Sequence, residues 1–323
     1  MKISYFDPLM RGWERMKDVL FRPFDLVTWL VLGFAAWLAG LGDGFGGGGS
    51  GTRYTVHDGD GFGSIGRGFG ELGREIGENL VILPLVFLAI LLIVAVILLI
   101  LWVSSRAKLI FLDNVVTGQA AIIEPWKRFR TEGDSLFLWR AGFALAVILI
   151  AALIAAGLIV PAAAAGSFHG AAEGLSIAAM VVGVIGLVVV GVVAAYVALF
   201  LDAFIVPIMY RYRITAVAAW RAFLPWLQRY AGHFVVYGLF VLLLAVVFVA
   251  IATVACILTC CIVMIPYVGT VLLLPVWVTY RAFSVSFLAQ LHPDFDLFAL
   301  EAAASLEGAG ETAPEGVGSD QGE

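Results

Sequence analysis

The chain has 323 residues, 62% apolar and 13% charged, with a formal net charge of −5 and a mean hydropathy of +1.01. That balance excludes an ordinary soluble domain, whose surface needs far more charged side chains. Three cysteines are too few for a disulfide framework, and the four histidines form no recognisable zinc spacing.

An amphipathic segment, GWERMKDVLF at 12–21, carries Trp13 and precedes the first apolar run, 24–41. A basic lead of more than twenty residues and only a weak small-residue cleavage site make this run a retained span, not a signal peptide. Five further runs, 80–103, 139–161, 177–201, 234–256 and 262–285, have span-like length, so the fold expected is an all-α integral membrane protein with six transmembrane helices. Sixteen of the nineteen Lys and Arg residues fall in the amino-terminal segment, the 104–140 and 209–232 connections, or the inner end of the last run. An excess of basic residues marks the cytoplasmic side, so both termini are expected there, in a bacterial cytoplasmic membrane.

The loop at 42–79 is then external. Its opening glycines, in GLGDGFGGGGSGTRY, are costly to order, and Asp43, Asp58, Asp60, Glu71, Glu75 and Glu78 outnumber its three arginines. Ile65, Phe69, Leu72 and Ile76 recur at helical spacing and predict a surface helix there, serving as a connector or a docking surface.

After the second run, LIFLD at 109–113 leads into EPWKRFR at 124–130; after the fourth, ALFLD at 198–202 leads into AWRAFLPWLQRY at 219–230. With GWERMKDVLF these suggest three repeated helical hairpins, each entered through an interfacial helix anchored by Trp13, Trp126, or Trp220 and Trp226. Asp113 and Asp202 either close salt bridges at the inner helix ends or line a headgroup or substrate cleft, with Arg106, Lys108, Arg140, Arg211, Arg213 and Arg281 as the possible basic partners. The middles of the runs hold no ionisable residue, which disfavours ion-coupled transport. Small residues in AALIAAGLIVPAAAAG and VVGVIGLVVVGVVAA look like packing faces. Cys256, Cys260 and Cys261 read as small apolar fillers. The tail, 296–323, is acidic, lacks any basic residue and is expected to be largely disordered, which argues against nucleic acid as a partner.

FLDAFIVPIMYRYRITAVAAWRAF at 200–223 and IPYVGTVLLLPVWVTYRAF at 265–283 resemble uncharacterised prokaryotic six-span proteins related to the membrane domain attached to some glycerophosphoryl diester phosphodiesterases. The resemblance covers most of residues 1–295 and implies a membrane module whose catalytic barrel, when present, is a separate domain. No such domain fits in this chain, so the phosphodiesterase activity does not carry over. The functional expectation is a non-catalytic subunit or scaffold of a membrane protein complex, in contact with membrane lipids, with no cofactor and no metal. The alternative is binding or transport of phospholipid through a basic cytoplasmic vestibule.

Overall fold

The computed structural model describes residues 4–43, 82–165, 171–259 and 265–311, and every long element is a helix. In chain order these are α1 (Phe6–Phe21), α2 (Leu26–Leu41), α3 (Ile82–Thr117), α4 (Ile123–Arg128), α5 (Arg130–Ala165), α6 (Ala171–Phe200), a π-turn at Leu201–Ile205, α7 (Val206–Tyr212), α8 (Ala216–Arg229), α9 (Ala231–Leu258), α10 (Pro266–Leu272), α11 (Leu274–Ala289) and α12 (Leu297–Glu311). The surface helix expected around Ile65–Ile76, together with Cys260, Cys261, His57 and His169, lies outside the described residues.

Four stretches among the described residues are long and apolar enough to cross a membrane: Pro84–Thr117, Arg130–Gly157, Val181–Tyr212 and Ala231–Leu258; Leu26–Leu41 is a shorter apolar helix. The protein is therefore a multi-span membrane protein, but the expectation of six transmembrane helices is corrected at its first and last members. At 1.5 Å per residue α2 is only about 24 Å long, short of the roughly 30 Å hydrocarbon layer. Its carboxyl end is tied to the far part of α3: Ser104 Oγ donates to Ala39 O at 2.7 Å, and Asp43 meets the Lys108 ammonium at 2.8 Å. Residues 82–103 of α3, about 33 Å of helix, extend beyond that point. The sixth candidate breaks at Leu273, between α10 and α11, where Pro275 cannot donate to the helical ladder. Residues 281–288 of α11 are all buried in protein, including Arg281, Ser284 and Ser286, so this helix packs in the core and is not apolar enough for a lipid-facing span.

The buried residues gather into a base from which the long apolar helices extend. Phe204 sits at its centre, 5.3 Å from the Phe223 ring, 5.2 Å from Phe234 and 4.9 Å from Tyr237. Such rings bury large apolar areas and prefer these offset and edge-on contacts. α1 lies against α11 because Gly12 has no side chain: a Cβ there would stand 2.9 Å from both Phe283 N and Thr279 O. The two chain regions are also clasped at Ser4 and Gln290, which exchange hydrogen bonds of 2.9 Å. Arg15 donates to the carbonyls of Val115 and Val116, satisfying the end of α3 that has no further helical donors.

The amino-terminal and carboxyl-terminal helices thus belong to the same base. The tail begins as helix α12, whose Phe298 ring lies 5.4 Å below the Arg15 guanidinium; residues 312–323 lie outside the described part.

The apolar helices, by contrast, are mostly uncovered. Residues 87–96 of α3 are exposed without interruption, and ten successive helical positions point in every direction around the axis. A helix apolar on all sides is stable only where its surroundings are apolar too.

Candidate functional site

Polar chemistry concentrates where the long helices enter the base. Lys108, on α3, is the hub: its ammonium lies 2.8 Å from Asp43 Oδ1 and 2.6 Å from both carboxylate oxygens of Asp202. Arg140, on α5, donates to Asp43 at 2.9 Å and to Ser104 and Ser105 at 3.2 and 3.1 Å. Arg281, on α11, donates to the backbone carbonyl of Asp202. Helices α3, α5 and α11, the π-turn and the end of α2 are therefore joined by one connected set of charges. The three cations are buried, while the Asp43 and Asp202 side chains keep 23% and 30% exposure.

The π-turn explains why Asp202 can serve two partners. Val206 N–H bonds five residues back to Leu201 O, so the ladder slips by one residue and the Asp202 carbonyl turns toward Arg281. Asp113, in the matching sequence motif, sits in a regular helix and goes elsewhere: it accepts from Tyr210 Oη at 2.9 Å and lies 3.9 Å from Arg128. The two FLD motifs are locally alike and structurally unlike.

Two further clusters flank the hub. Arg106 pairs with Asp134 through contacts of 2.7 and 3.1 Å, and Trp102 Nε1 donates to the same oxygen at 2.9 Å. Its guanidinium stands 4.3 Å from the Trp102 ring and 5.5 Å from Trp126, a double cation–π contact. Arg213, in the left-handed conformation that ends α7, pairs with Glu132 at 3.1 Å and lies over Phe129. Arg211 is exposed, beside Tyr212.

The expected site residues therefore divide. Arg140, Asp202 and Arg281 come together; Arg106, Asp113 and Arg213 sit in separate neighbouring clusters, and Arg211 faces outward. Asp43 had been expected in an external loop opposite the basic connections, yet it bonds directly to Lys108 and Arg140. Among the tryptophans, Trp13 is half-exposed, whereas Trp220 stacks on Trp139 at 5.4 Å and Trp226 on Tyr230 at 6.4 Å. Lys108 was among the basic partners expected for Asp202, but its sharing with Asp43 and the role of Asp134 were not foreseen from the sequence. The available signal was their chemistry: lone ionisable groups beside apolar runs require partners.

A family model matches residues 4–299. The chain belongs to DUF7544, a family of unknown function. That description offers no link to the phosphodiesterase-associated membrane domain. No curated protein and no solved structure matches the chain. Among the described residues no three His, Cys, Asp or Glu side chains are grouped as metal ligands. The arrangement of charges is one that holds helices in fixed relation, because each buried carboxylate in it has a cationic or hydroxyl partner.

Proposed function

We propose that this DUF7544 protein is a non-catalytic subunit of a membrane protein complex, with its apolar helices serving as the assembly surface and its base as the clamp that fixes their spacing. One observation carries the reading: residues 87–96 of α3 are all exposed, around the full circumference of the helix. The competing basic vestibule is weakened by the same geometry. Arg106 and Arg140 are buried and already paired with carboxylates, and Arg281 is buried against a backbone carbonyl, which leaves these arginines poorly placed to receive an anionic headgroup.

In this reading the base faces the cytoplasm of a bacterial cell, since it carries nearly all the basic side chains and both described chain ends.

The test is native mass spectrometry of the full chain after gentle extraction. It should reveal one protein partner at fixed stoichiometry, and replacing Phe87, Leu91 and Leu92 together with alanine should release it while the protein stays in the membrane. A particle without a protein partner, or a complex indifferent to those replacements, would refute the proposal.

A further inference from the structure

Helix α1 is divided lengthwise into three sectors. Pro8, Gly12, Met16, Val19 and Leu20 are buried against the base. Phe6, Met10, Trp13 and Phe21 form a stripe, 71%, 59%, 48% and 48% exposed, apolar except for Lys17 between Trp13 and Phe21. Between the two lies a charged sector with Arg11, Glu14, Arg15 and Asp18, the last paired with Arg22 at 3.4 Å. An ordinary surface helix has only two faces, one apolar and buried, one polar; the exposed aromatic stripe is the addition, and it suits the boundary between headgroups and acyl chains.

The charged sector faces a groove of about 350 Å³ walled on its other sides by α11 and the start of α12. Arg11 and Glu14 have no ion-pair partner among the described residues. At the α11 wall, Ser286 is 2% exposed and its hydroxyl has no hydrogen-bond partner among the described residues, a cost that a bound polar group would relieve. Asp296 and Phe298 complete the opposite side.

We infer that this groove binds the zwitterionic headgroup of a phospholipid bearing a primary ammonium, with its acyl chains against the exposed stripe of α1. The groove displays both signs of charge, which suits neither a simple anion nor a simple cation. Arg11, which has no ion-pair partner among the described residues, matches the phosphate, to which a guanidinium donates in forked geometry, while Arg15 stays on the Val115 and Val116 carbonyls and adds its charge beside it. Glu14 and Asp296 match the ammonium, whose three N–H donors need acceptors. This discriminates by chemistry: phosphatidylcholine carries a cation that cannot donate, and phosphatidylglycerol carries no cation. The site is independent of the assembly surface on α3, so the two proposals stand or fall separately.

The experiment uses the full chain in nanodiscs of equal phosphatidylethanolamine, phosphatidylcholine and phosphatidylglycerol, followed by native mass spectrometry of retained lipid. Phosphatidylethanolamine should dominate. Glu14→Gln should cut its retention several-fold relative to phosphatidylcholine, and Arg11→Gln should lower retention of all three; both changes lie on an exposed helix surface and leave the melting temperature in place. Equal retention of the three lipids by the unaltered protein, or a preference unmoved by either substitution, overturns the site. Full displacement by an equal concentration of soluble phosphoethanolamine would overturn the assignment to a lipid.

Discussion

Replacing Lys108 with methionine isolates the contribution of the hub. Methionine keeps the length of the side chain and removes the ammonium that Asp43 and Asp202 share at 2.8 and 2.6 Å. Asp43 retains Arg140, 2.9 Å away. Asp202 loses its paired cation, since Arg281 bonds to its backbone carbonyl. Stranding one member of a buried ion pair costs about 3–5 kcal/mol, and with the Asp202 side chain 30% exposed the low end applies, about 3 kcal/mol. At about 2 °C per kcal/mol for a chain of this size, the melting temperature in detergent should fall by roughly 6 °C. Asp202→Asn in the same chain removes the stranded charge, so the double variant K108M/D202N should regain most of the loss, a coupling on the order of 2 kcal/mol in the double-mutant cycle. A single variant that melts within a degree of the unaltered protein, or a double variant no better than the single, would refute the view that this network holds the base together.

Three further outcomes follow from other parts of the base. Tyr210→Phe removes the hydroxyl that donates to buried Asp113 and should cost about 1–2 kcal/mol, visible as a lower midpoint in thermal unfolding; an unchanged midpoint would show the bond to be idle. Gly12→Val forces a side chain into the backbone of Phe283 and Thr279 and should cost about 1–3 kcal/mol, with faster proteolytic release of the amino-terminal helix; protection equal to the unaltered protein would contradict the close α1–α11 contact. Asp25 caps α2 and is held below the ordinary carboxylate range of 3.8 by bonds from the Thr28 hydroxyl and the Thr28 and Val27 N–H groups. Because its pKa is lowered by folding, its contribution is complete above 3.8 and is lost as pH falls through the folded value. Asp25→Ala should therefore melt lower than the unaltered protein at neutral pH, with the gap closing in acid; a gap independent of pH would exclude the cap.

The helical membrane character was legible because it depends on long apolar runs alone, and runs centred near residues 92, 150, 190 and 245 have enough length to leave no alternative. The depth of α2 was not legible. Its apolar run resembles the others in composition, and what places it beside residues 104–108 of α3 is contact across 65 positions of sequence. The break in the last run depends on how Pro275 and the buried polar face of α11 meet the base, and hydropathy treats both as minor interruptions.

The site shows the same division. Asp202 could be suspected as a carboxylate beside an apolar run, and Lys108 and five arginines were its possible partners; that Lys108 reached its carboxylate was set by packing. The matching motif around Asp113 suggested a matching role, but the π-turn at Leu201–Ile205 sends one aspartate to Lys108 and leaves the other with Tyr210. A slip of one residue in a helical ladder leaves no mark in the pentapeptide. Asp43 was misplaced for a related reason: a charge count assigns a whole loop to one side, whereas the first residues after a helix stay with that helix.

The claim that the bare helix surface is an assembly surface is tested most directly by placing a photo-crosslinking residue in turn at each position from 87 to 96 of α3 in native membranes. The account predicts adducts to one and the same protein from a contiguous set of positions, with lipid adducts at the rest. Lipid adducts at all ten positions would contradict it.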